Sequence, residues 1–307
     1  MLATSAFANQ FNNMQNTTFQ SSLRLIRELP RNLFSTNIFF NAERQLRNGW
    51  WIPIFFLIMA GMLFPMLMLA RQNGENLEIW KQAIVVTIAS YLVQLLRRKP
   101  MAELMGKFDF VWIKELLLGG LLGAALMSFP ALVIWGTGGV NWQINSFSMT
   151  IIWSGLFACA AVALAEEVVF RGVLFQRLIG GLGVWPAQLL IAAYFLLTHS
   201  GNPGMDGNVR ILASINIFLA SILFGLLYLR TKKLAMPLGI YMMANFVQGS
   251  VLGFGVSGHN ESGLMRPMFG QSPIWLTGGQ FGLEASLPGL LTVILFIVLV
   301  MRWKPAP

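Results

Sequence analysis

Two adjacent glutamates, Glu166 and Glu167, follow the uncharged run 154–165 in a strongly apolar sequence. A charge near the centre of a membrane helix costs roughly 2.5 to 3.5 kcal/mol, so such residues mark paired charges or functional sites. If the run is helical, Glu167 and Arg171 lie at i and i+4 and form an ion pair in the favoured acid-first order. Glu166 points about 100° away from that pair. The spacing predicts one carboxylate that is neutralised locally and a second, Glu166, that is free to meet groups from other helices.

Two later pairs repeat the i,i+4 spacing on apolar segments. Phe195 and His199 present an imidazole one turn from an aromatic ring, and Tyr241 and Asn245 present a phenol and an amide. Alone, a histidine at a span end is typical of a capping or interfacial residue, and Tyr and Asn are typical of hydrogen bonds between helices. The glutamates change this interpretation, because an acid within a span is by default functional. We expect the three segments to form one polar cluster.

The composition is that of a helical membrane protein. Of 307 residues, 56% are apolar and 11% are charged, with a mean hydropathy of +0.65, whereas a soluble domain has about 25% charged residues. The net charge of +9 does not indicate nucleic-acid binding, because the basic residues are scattered between apolar spans. The single cysteine, Cys159, excludes an intramolecular disulfide and a multi-cysteine metal site. The predicted fold class is an all-α, polytopic integral membrane protein.

We expect about eight transmembrane helices in one bundle. The apolar segments that define them are 50–70, 77–96, 110–135, 149–179, 186–199, 211–229, 236–254 and 287–303. The fourth would be about 46 Å long at 1.5 Å per residue, so the glutamates need not lie at the bilayer boundary. The third contains Gly119, Gly120 and Gly123, which favour close helix contact.

Residues 1–49 differ from the rest of the chain. The start, 1–20, is polar and uncharged and is predicted to be a disordered tail without a cleaved signal. The segment 21–49 mixes arginines with apolar residues, a pattern typical of an interfacial segment or a basic tail that fixes orientation. We predict a cytoplasmic tail over 1–49 and a transmembrane domain over 50–307.

The distribution of basic residues predicts the orientation. An even number of crossings puts both termini on one side, and sixteen basic residues lie on that side: Arg24, Arg27, Arg31, Arg44, Arg47, Arg97, Arg98, Lys99, Lys107, Arg171, Arg177, Arg230, Lys232, Lys233, Arg302 and Lys304. Three lie opposite, Arg71, Arg210 and Arg266, while Lys81 and Lys114 fall within spans. Since cytoplasmic loops carry the excess of Lys and Arg, both termini are predicted to be cytoplasmic.

This topology sets a geometric condition on the polar cluster. The fourth segment runs inward and the fifth runs outward, so His199 falls near the outer end of its segment and Glu166 nearer the inner end of its own. The two side chains meet only if the turn at 180–186 projects beyond the bilayer or the orientation is reversed. We expect the projecting turn.

The three pairs resemble the motifs of a known family, the CAAX-protease and bacteriocin-processing family of intramembrane glutamate endopeptidases, which is related to the Ras-converting prenyl-protein endopeptidase. Its E-E-x-x-x-R motif corresponds to 166–171, and its F-x-x-x-H motif to 195–199. The third motif, H-x-x-x-N, departs at Tyr241 but keeps Asn245. The similarity covers a protease-like core at 149–286, and pieces around 248–249, 256–258 and 276–284 resemble bacterial members. The resemblance implies a protein of the bacterial inner membrane.

The resemblance also implies residue roles. Glu166 would deprotonate the attacking water, His199 would share that water and pass a proton to the leaving amine, and Asn245 would donate to the oxyanion. Arg171 would hold Glu167 ionised, and Phe195 would support the second motif. The phenol of Tyr241 can donate to an oxyanion but is a poor proton acceptor at neutral pH. Activity survives if the family imidazole only binds the oxyanion, and is impaired if that imidazole shuttles protons.

Three functions therefore remain open. The first is an endopeptidase that hydrolyses membrane-associated peptides or proteins, with the lipid bilayer as its only other implied partner and no defined oligomeric state. The second is a catalytically impaired partner that packs helices or binds a peptide. The third is a proton-coupled transporter, although the inverted repeat typical of that class is not evident. No cofactor is predicted, and no metal, since one His, two Glu and an Asn make a poor zinc set. His259 is predicted to be solvated.

Overall fold

The structure, a computed structural model, describes residues 38–303 except 42, 146 and 261. Chain contacts divide it into two units, with the boundary between Trp50 and Trp51. The predicted tail 1–20 and most of the basic segment 21–49 lie outside the described residues. The division into a cytoplasmic tail and a domain with a protease-like core at 149–286 stays a prediction.

The described part of the first unit is a short turn. The side-chain Oδ1 of Asn41 accepts hydrogen bonds from the backbone N–H groups of Glu43 and Gln45, at 3.1 and 2.8 Å. Phe40 and Leu46 form an isolated antiparallel bridge, and the turn leads into a single 3₁₀ turn at Asn48–Trp50. An asparagine that bonds its own following backbone in this way is a standard turn former.

The second unit is mostly helical. Its helices are α1 (Trp51–Gln72), α2 (Ile79–Leu96), α3 (Ala102–Met105), α4 (Phe110–Gly136), α5 (Met149–Glu167), α6 (Gln176–Leu182), α7 (Val184–His199), α8 (Gly207–Thr231), α9 (Ala235–Asn245), α10 (Ile274–Thr277) and α11 (Leu287–Arg302). Two π-helical segments continue α5 and α9, at Val168–Phe175 and Phe246–Val251.

The protein is an integral membrane protein. Among the described residues, five helices are long and apolar enough to cross a membrane: Asn48–Gln72, Ile79–Leu96, Phe110–Gly136, Met149–Leu182 and Gly207–Thr231. Two further apolar helices, Val184–His199 and Leu287–Arg302, are shorter. The helical membrane class is therefore confirmed, whereas the predicted count of eight spans is not established.

Helices α4 and α9 approach each other closely. A side chain at Gly119 or Gly123 would collide with the backbone carbonyls of Met236 and Ile240, and one at Gly239 would collide with that of Leu116. Small residues at a membrane helix interface replace hydrophobic association with close van der Waals packing. This contact fixes α9, which carries Tyr241 and Asn245, against the longest helix of the unit.

A helical hairpin carries the glutamates and the histidine. The chain from α5 to α6 is continuous, turns at Gly183 with φ of +85°, and returns as α7. Glu166 lies 17 residues before Gly183 (183 − 166) and His199 lies 16 residues after it (199 − 183). At 1.5 Å per residue both lie about 25 Å from the turn. The hairpin therefore brings the two side chains to the same level.

The fold is mostly helical, as the predicted all-α class requires, and it also contains one small β-sheet. Strands β1 (Val140–Ile144) and β2 (Met265–Phe269) pair antiparallel, with Val140 opposite Phe269. The Trp142 Nε1–H donates to the carbonyl of Leu252 at 3.1 Å. The sheet ties the connection after α4 to the Gly-rich connection before α11, two segments far apart in sequence.

Candidate active site

Glu166 lies on the face of α5 that borders a cavity of about 410 Å³. The cavity-lining residues of this helix are Gly155, Ala158, Cys159, Val162 and Glu166. They fall on one face because the steps along the chain are of three or four residues, apart from the adjacent pair Ala158 and Cys159. Since most of them are small, this face leaves open space above the half-buried carboxylate.

Tyr241 contacts Glu166 directly. Its phenolic O–H donates a hydrogen bond to Glu166 Oε2 at 2.8 Å, and the Tyr241 ring is 8% exposed. A hydrogen bond to an ionised acceptor is among the stronger ones in proteins. The phenol that replaces the family imidazole thus holds one oxygen of the glutamate, which leaves the other oxygen for a second partner.

Glu167 has a different environment on the opposite side of the helix. It forms the expected ion pair with Arg171, with 2.8 Å between Oε1 and the Nη1 of the arginine, and both side chains are fully buried. Arg171 also donates to the carbonyl and the hydroxyl of Ser221 on α8, at 3.1 and 2.9 Å. The pair therefore joins the glutamate helix to α8 and does not reach the cavity.

Phe195 lies between the ion pair and the histidine. Its ring centroid is 5.0 Å from the Arg171 guanidinium carbon and 4.4 Å from the centroid of the His199 ring. Its carbonyl lies 2.8 Å from His199 Nδ1. This contact is a hydrogen bond when Nδ1 carries the proton, which makes Nε2 the basic nitrogen of the imidazole.

The cavity brings the four predicted residues together. Glu166, His199, Tyr241 and Asn245 all line it. The side chains come from α5, α7 and α9. A π-helical segment begins two residues after Glu166 at the end of α5, and another begins directly after Asn245 at the end of α9. Such segments are frequent at functional sites because the extra residue per turn re-aims side chains. The catalytic roles of these residues stay predictions.

Residues from two connections complete the cavity wall. Asn202, which follows α7, donates its amide to the carbonyl of Ser257 at 2.9 Å, and Ser257 and His259 line the cavity with it. His259 is exposed, as expected for a solvated residue, yet it borders the same space as His199. The sequence did not predict this position beside the cavity, because His259 lies in a Gly-rich connection outside the motifs.

A second, smaller cavity of about 50 Å³ adjoins the same residues. His199, Tyr241 and Asn245 border both spaces. The small cavity is also lined by Asn216, which is 2% exposed, and by Glu284. Its lining mixes apolar residues with these polar groups, and its volume suits a few water molecules, since one needs about 10–15 Å³ of such space.

Glu284 is a polar residue of the site that the motifs did not identify. Its carboxylate accepts from the Ser257 N–H, the Ser257 hydroxyl and the Gln248 amide, each at 3.0 Å. Burial raises the pKa of Glu284 above its ordinary value, while these hydrogen bonds and the nearby His199 oppose the rise. The stretch 276–284 resembles bacterial members of the family, but the pairing of Glu284 with Ser257 exists only in the folded chain.

No group of three or more His, Cys, Asp or Glu residues suited to a metal ion occurs in the described part of the chain. The acid and imidazole of the cavity are accompanied by an amide and a phenol, which are weak ligands for zinc. The expectations of no metal and no cofactor stay predictions.

Fold and site together define a class: an integral membrane protein whose helices surround a carboxylate, an imidazole and an amide in one cavity. Residues 148–247 match the family model for the type II CAAX prenyl endopeptidase Rce1-like proteins. The resemblance predicted from the motifs is thereby confirmed for these residues, and the match supports a CAAX-type intramembrane protease. The matched segment is about a third of the chain and contains Glu166, His199, Tyr241 and Asn245. A search of curated proteins found no match.

Proposed function

We propose that this protein is an intramembrane endopeptidase in which Glu166 activates a water molecule for attack on a peptide bond. The observation that carries the proposal is the shared cavity, in which Glu166, His199, Tyr241 and Asn245 converge from three helices. The match to an endopeptidase family over 148–247 supports the same reaction class. The substrate is a membrane-associated peptide or protein.

The reaction is a hydrolysis in two proton-transfer steps. Glu166 accepts a proton from water through the oxygen that Tyr241 leaves open, and the resulting hydroxide oxygen bonds to the carbonyl carbon of the substrate. The Asn245 amide donates to the oxyanion. Glu166 then passes the proton that it took from water to the basic Nε2 of His199, and Nε2 gives this proton to the leaving nitrogen as the C–N bond breaks. Water supplies both the new carboxylate oxygen and the proton on the released amine.

Tyr241 takes a role that the sequence left open. Because its single proton is donated to Glu166 Oε2, the phenol orients the general base, and Asn245 is the remaining donor for the oxyanion. The family imidazole would bring a proton acceptor to this position, which a phenol does not. We therefore expect a working but slow hydrolase.

The decisive test replaces the general base. Glu166→Ala is expected to abolish cleavage while the variant inserts and folds as the wild type does. The measurement compares new peptide N-termini in membranes of cells that express either form, read by mass spectrometry. Termini that depend on wild-type protein map the cleavage site. Identical sets of termini from the two strains would end the endopeptidase proposal.

A second function is favoured by the same tyrosine. If the bond to Tyr241 leaves Glu166 unable to accept a proton, the cavity binds a peptide without cutting it. In that case Glu166→Ala changes no termini, but peptides co-purify with the wild-type protein and are lost when bulky residues fill the cavity, as in Ala158→Phe. Recovery of bound, uncut peptides identifies this function.

A further inference from the structure

The two ends of the second unit differ strongly in charge. One end is joined by polar contacts between helix termini and is called the basic end below. There Glu103 bonds both Arg97 and Arg177, at 2.8 and 2.9 Å. Lys233 Nζ lies 3.4 Å from Glu115 Oε1. Helices α8 and α11 end side by side, because Arg230 near the end of α8 donates a hydrogen bond to the Met301 carbonyl of α11 at 2.7 Å.

The basic end carries ten of the fourteen basic residues at the helix ends and connections of residues 51–303, with the buried Arg171 left aside. They are Arg97, Arg98, Lys99, Lys107, Lys114, Arg177, Arg230, Lys232, Lys233 and Arg302. The opposite end carries four, Arg71, Lys81, Arg210 and Arg266. One of these, Lys81, is paired with Glu78 at 2.7 Å. The excess of Lys and Arg in short loops marks the cytoplasmic side, so the basic end is the cytoplasmic end.

The large cavity opens at the opposite end. Its lining includes Ile79, the first residue of α2, together with Asn202 and His259 from connections at that end. Glu166 lies at its inner limit along α5. Gly155 is 11 residues earlier on the same face (166 − 155), a distance of about 16 Å along the helix axis.

We propose that the cavity opens to the extracytoplasmic side of the membrane and receives an extended peptide segment presented from that side. The assignment of a peptide rests on the proposed function, whereas the direction of the opening rests on charge and geometry alone. An extended chain rises about 3.3 Å per residue, so a cavity about 16 Å deep admits about five residues between its mouth and Glu166. A cytoplasmic chain terminus does not reach this mouth.

The small residues along the α5 wall define the chemistry of that segment. Gly155, Ala158 and Val162 present an apolar surface, while Asn202, Ser257 and His259 provide polar groups near the mouth. The occupant that fits is a segment with apolar side chains close to the cleaved bond and polar residues before it. A membrane-anchored or exported peptide has such a segment where its apolar part adjoins an unfolded polar part.

The test uses cysteine labelling from each side of the membrane. Cys159 is the single cysteine of the chain, so Cys159→Ala provides a background into which His259→Cys, at the cavity mouth, and Lys232→Cys, at the basic end, are introduced one at a time. Both native residues are exposed. A membrane-impermeant sulfonated maleimide is added to spheroplasts and to inverted vesicles, and detergent-solubilised protein gives full labelling.

We expect His259→Cys to be labelled in spheroplasts and to lose its labelling in inverted vesicles, with Lys232→Cys giving the reverse. In the wild-type protein, a small impermeant methanethiosulfonate should modify Cys159 in spheroplasts only. The proposal is overturned if His259→Cys reacts in inverted vesicles only, or if both positions react from the same side. The same labelling of the Glu166→Ala variant needs no activity, so a wrong orientation and a wrong function give different results.

Discussion

Glu166 and Glu167 are neighbours on one helix, yet the fold gives them opposite environments. Glu167 is fully buried and paired with Arg171, which also bonds α8. Glu166 borders a cavity and is held by a single phenol. The rotation of about 100° between consecutive helical residues is enough to separate the two sides. Glu167 therefore stabilises the helix bundle, whereas Glu166 is kept available for chemistry.

The environments of the two glutamates differ because the two faces of their helix contact different parts of the protein. On the Glu167 side, α5 and its π-helical continuation pack against α8, where the Ser221 hydroxyl and carbonyl satisfy the arginine. On the Glu166 side, the small residues of α5 face open space. A charge of either kind is tolerated in an apolar protein only when paired or hydrated. Mutations at the two positions should therefore have separable effects on stability and on activity.

The largest effect is expected from breaking the buried ion pair. Glu167→Ala leaves the Arg171 guanidinium buried without its carboxylate, and removing one partner of such a pair costs about 3–5 kcal/mol. The matched variant Glu166→Ala, one residue away, should lower the free energy of unfolding by less than Glu167→Ala does while abolishing cleavage, because the Tyr241 hydroxyl that loses its acceptor borders the cavity and can bond water there. Thermal unfolding in detergent measures the first effect and the cleavage assay the second.

The double variant Glu167→Leu with Arg171→Met provides the control for this prediction. Replacing both partners with apolar residues removes the unpaired charge, so much of the lost stability should return. Equal destabilisation by Glu166→Ala and Glu167→Ala would show that the two glutamates are not functionally separate.

A smaller effect is expected at the bond that distinguishes Glu166. Tyr241→Phe removes the O–H donor from Glu166 Oε2, and a hydrogen bond to a charged group contributes about 1.5–3 kcal/mol. We expect kcat to fall about tenfold or more, since each 1.36 kcal/mol corresponds to tenfold in rate. The measurement uses a quenched fluorescent peptide built on the mapped cleavage site. Tyr228→Phe, a buried tyrosine that packs on Phe175 away from the cavity, should retain the wild-type kcat.

Tyr241→His restores the family residue and tests whether the phenol at this position limits turnover. Turnover should rise if the phenol makes this chain a slow protease, because an imidazole accepts protons near neutral pH. A rise of less than about tenfold would mean that the proton role lies with another residue, His199 being the nearest candidate.

Much of the fold could be predicted because the bilayer constrains a sequence strongly. Apolar runs between basic connections placed the helices within a few residues of their observed ends, as for α4 and α7. The hairpin turn was predicted from Gly183 and its neighbours, and the nearly equal lengths of the two arms explain how His199 and Glu166 come to line the same cavity. The strands β1 and β2 could not be predicted, because their pairing depends on contacts between residues more than 100 positions apart.

The candidate site was only partly visible in the sequence. Its i,i+4 pairs lie on regular helices, so spacing alone indicates their faces. The role of Glu284 depends on Ser257 and Gln248, which reach it only through the folded connection. The π-helical segments after Glu167 and Asn245 were not predicted, since the apolar periodicity of a membrane helix does not distinguish a short π-helical stretch from α-helix.

The smallest expected effect concerns the third glutamate, Glu284, which is neither paired with a cation nor left open. Because burial raises the pKa of this carboxyl in the folded state, the folded protein binds the proton more tightly than the unfolded chain does. Its contribution to stability is therefore full below the unfolded pKa and is lost as the pH rises through the folded pKa. Two other titratable side chains, His199 and Tyr241, line the same small cavity as Glu284.

Glu284→Gln should remove this part of the pH dependence. Its amide retains one acceptor for the Ser257 N–H and can donate to the Ser257 hydroxyl, so the connection at the cavity wall is kept. Thermal unfolding between about pH 5 and pH 8 should show a shallower loss of stability in the variant than in the wild type. Glu75→Gln, at an exposed glutamate between α1 and α2, should leave the wild-type slope unchanged. If Glu284→Gln also leaves it unchanged, the carboxyl does not change its protonation between the folded and unfolded states. Glu284 would then resemble Glu167, a fixed charge that holds structure, and Glu166 would be the one glutamate of the three that exchanges protons.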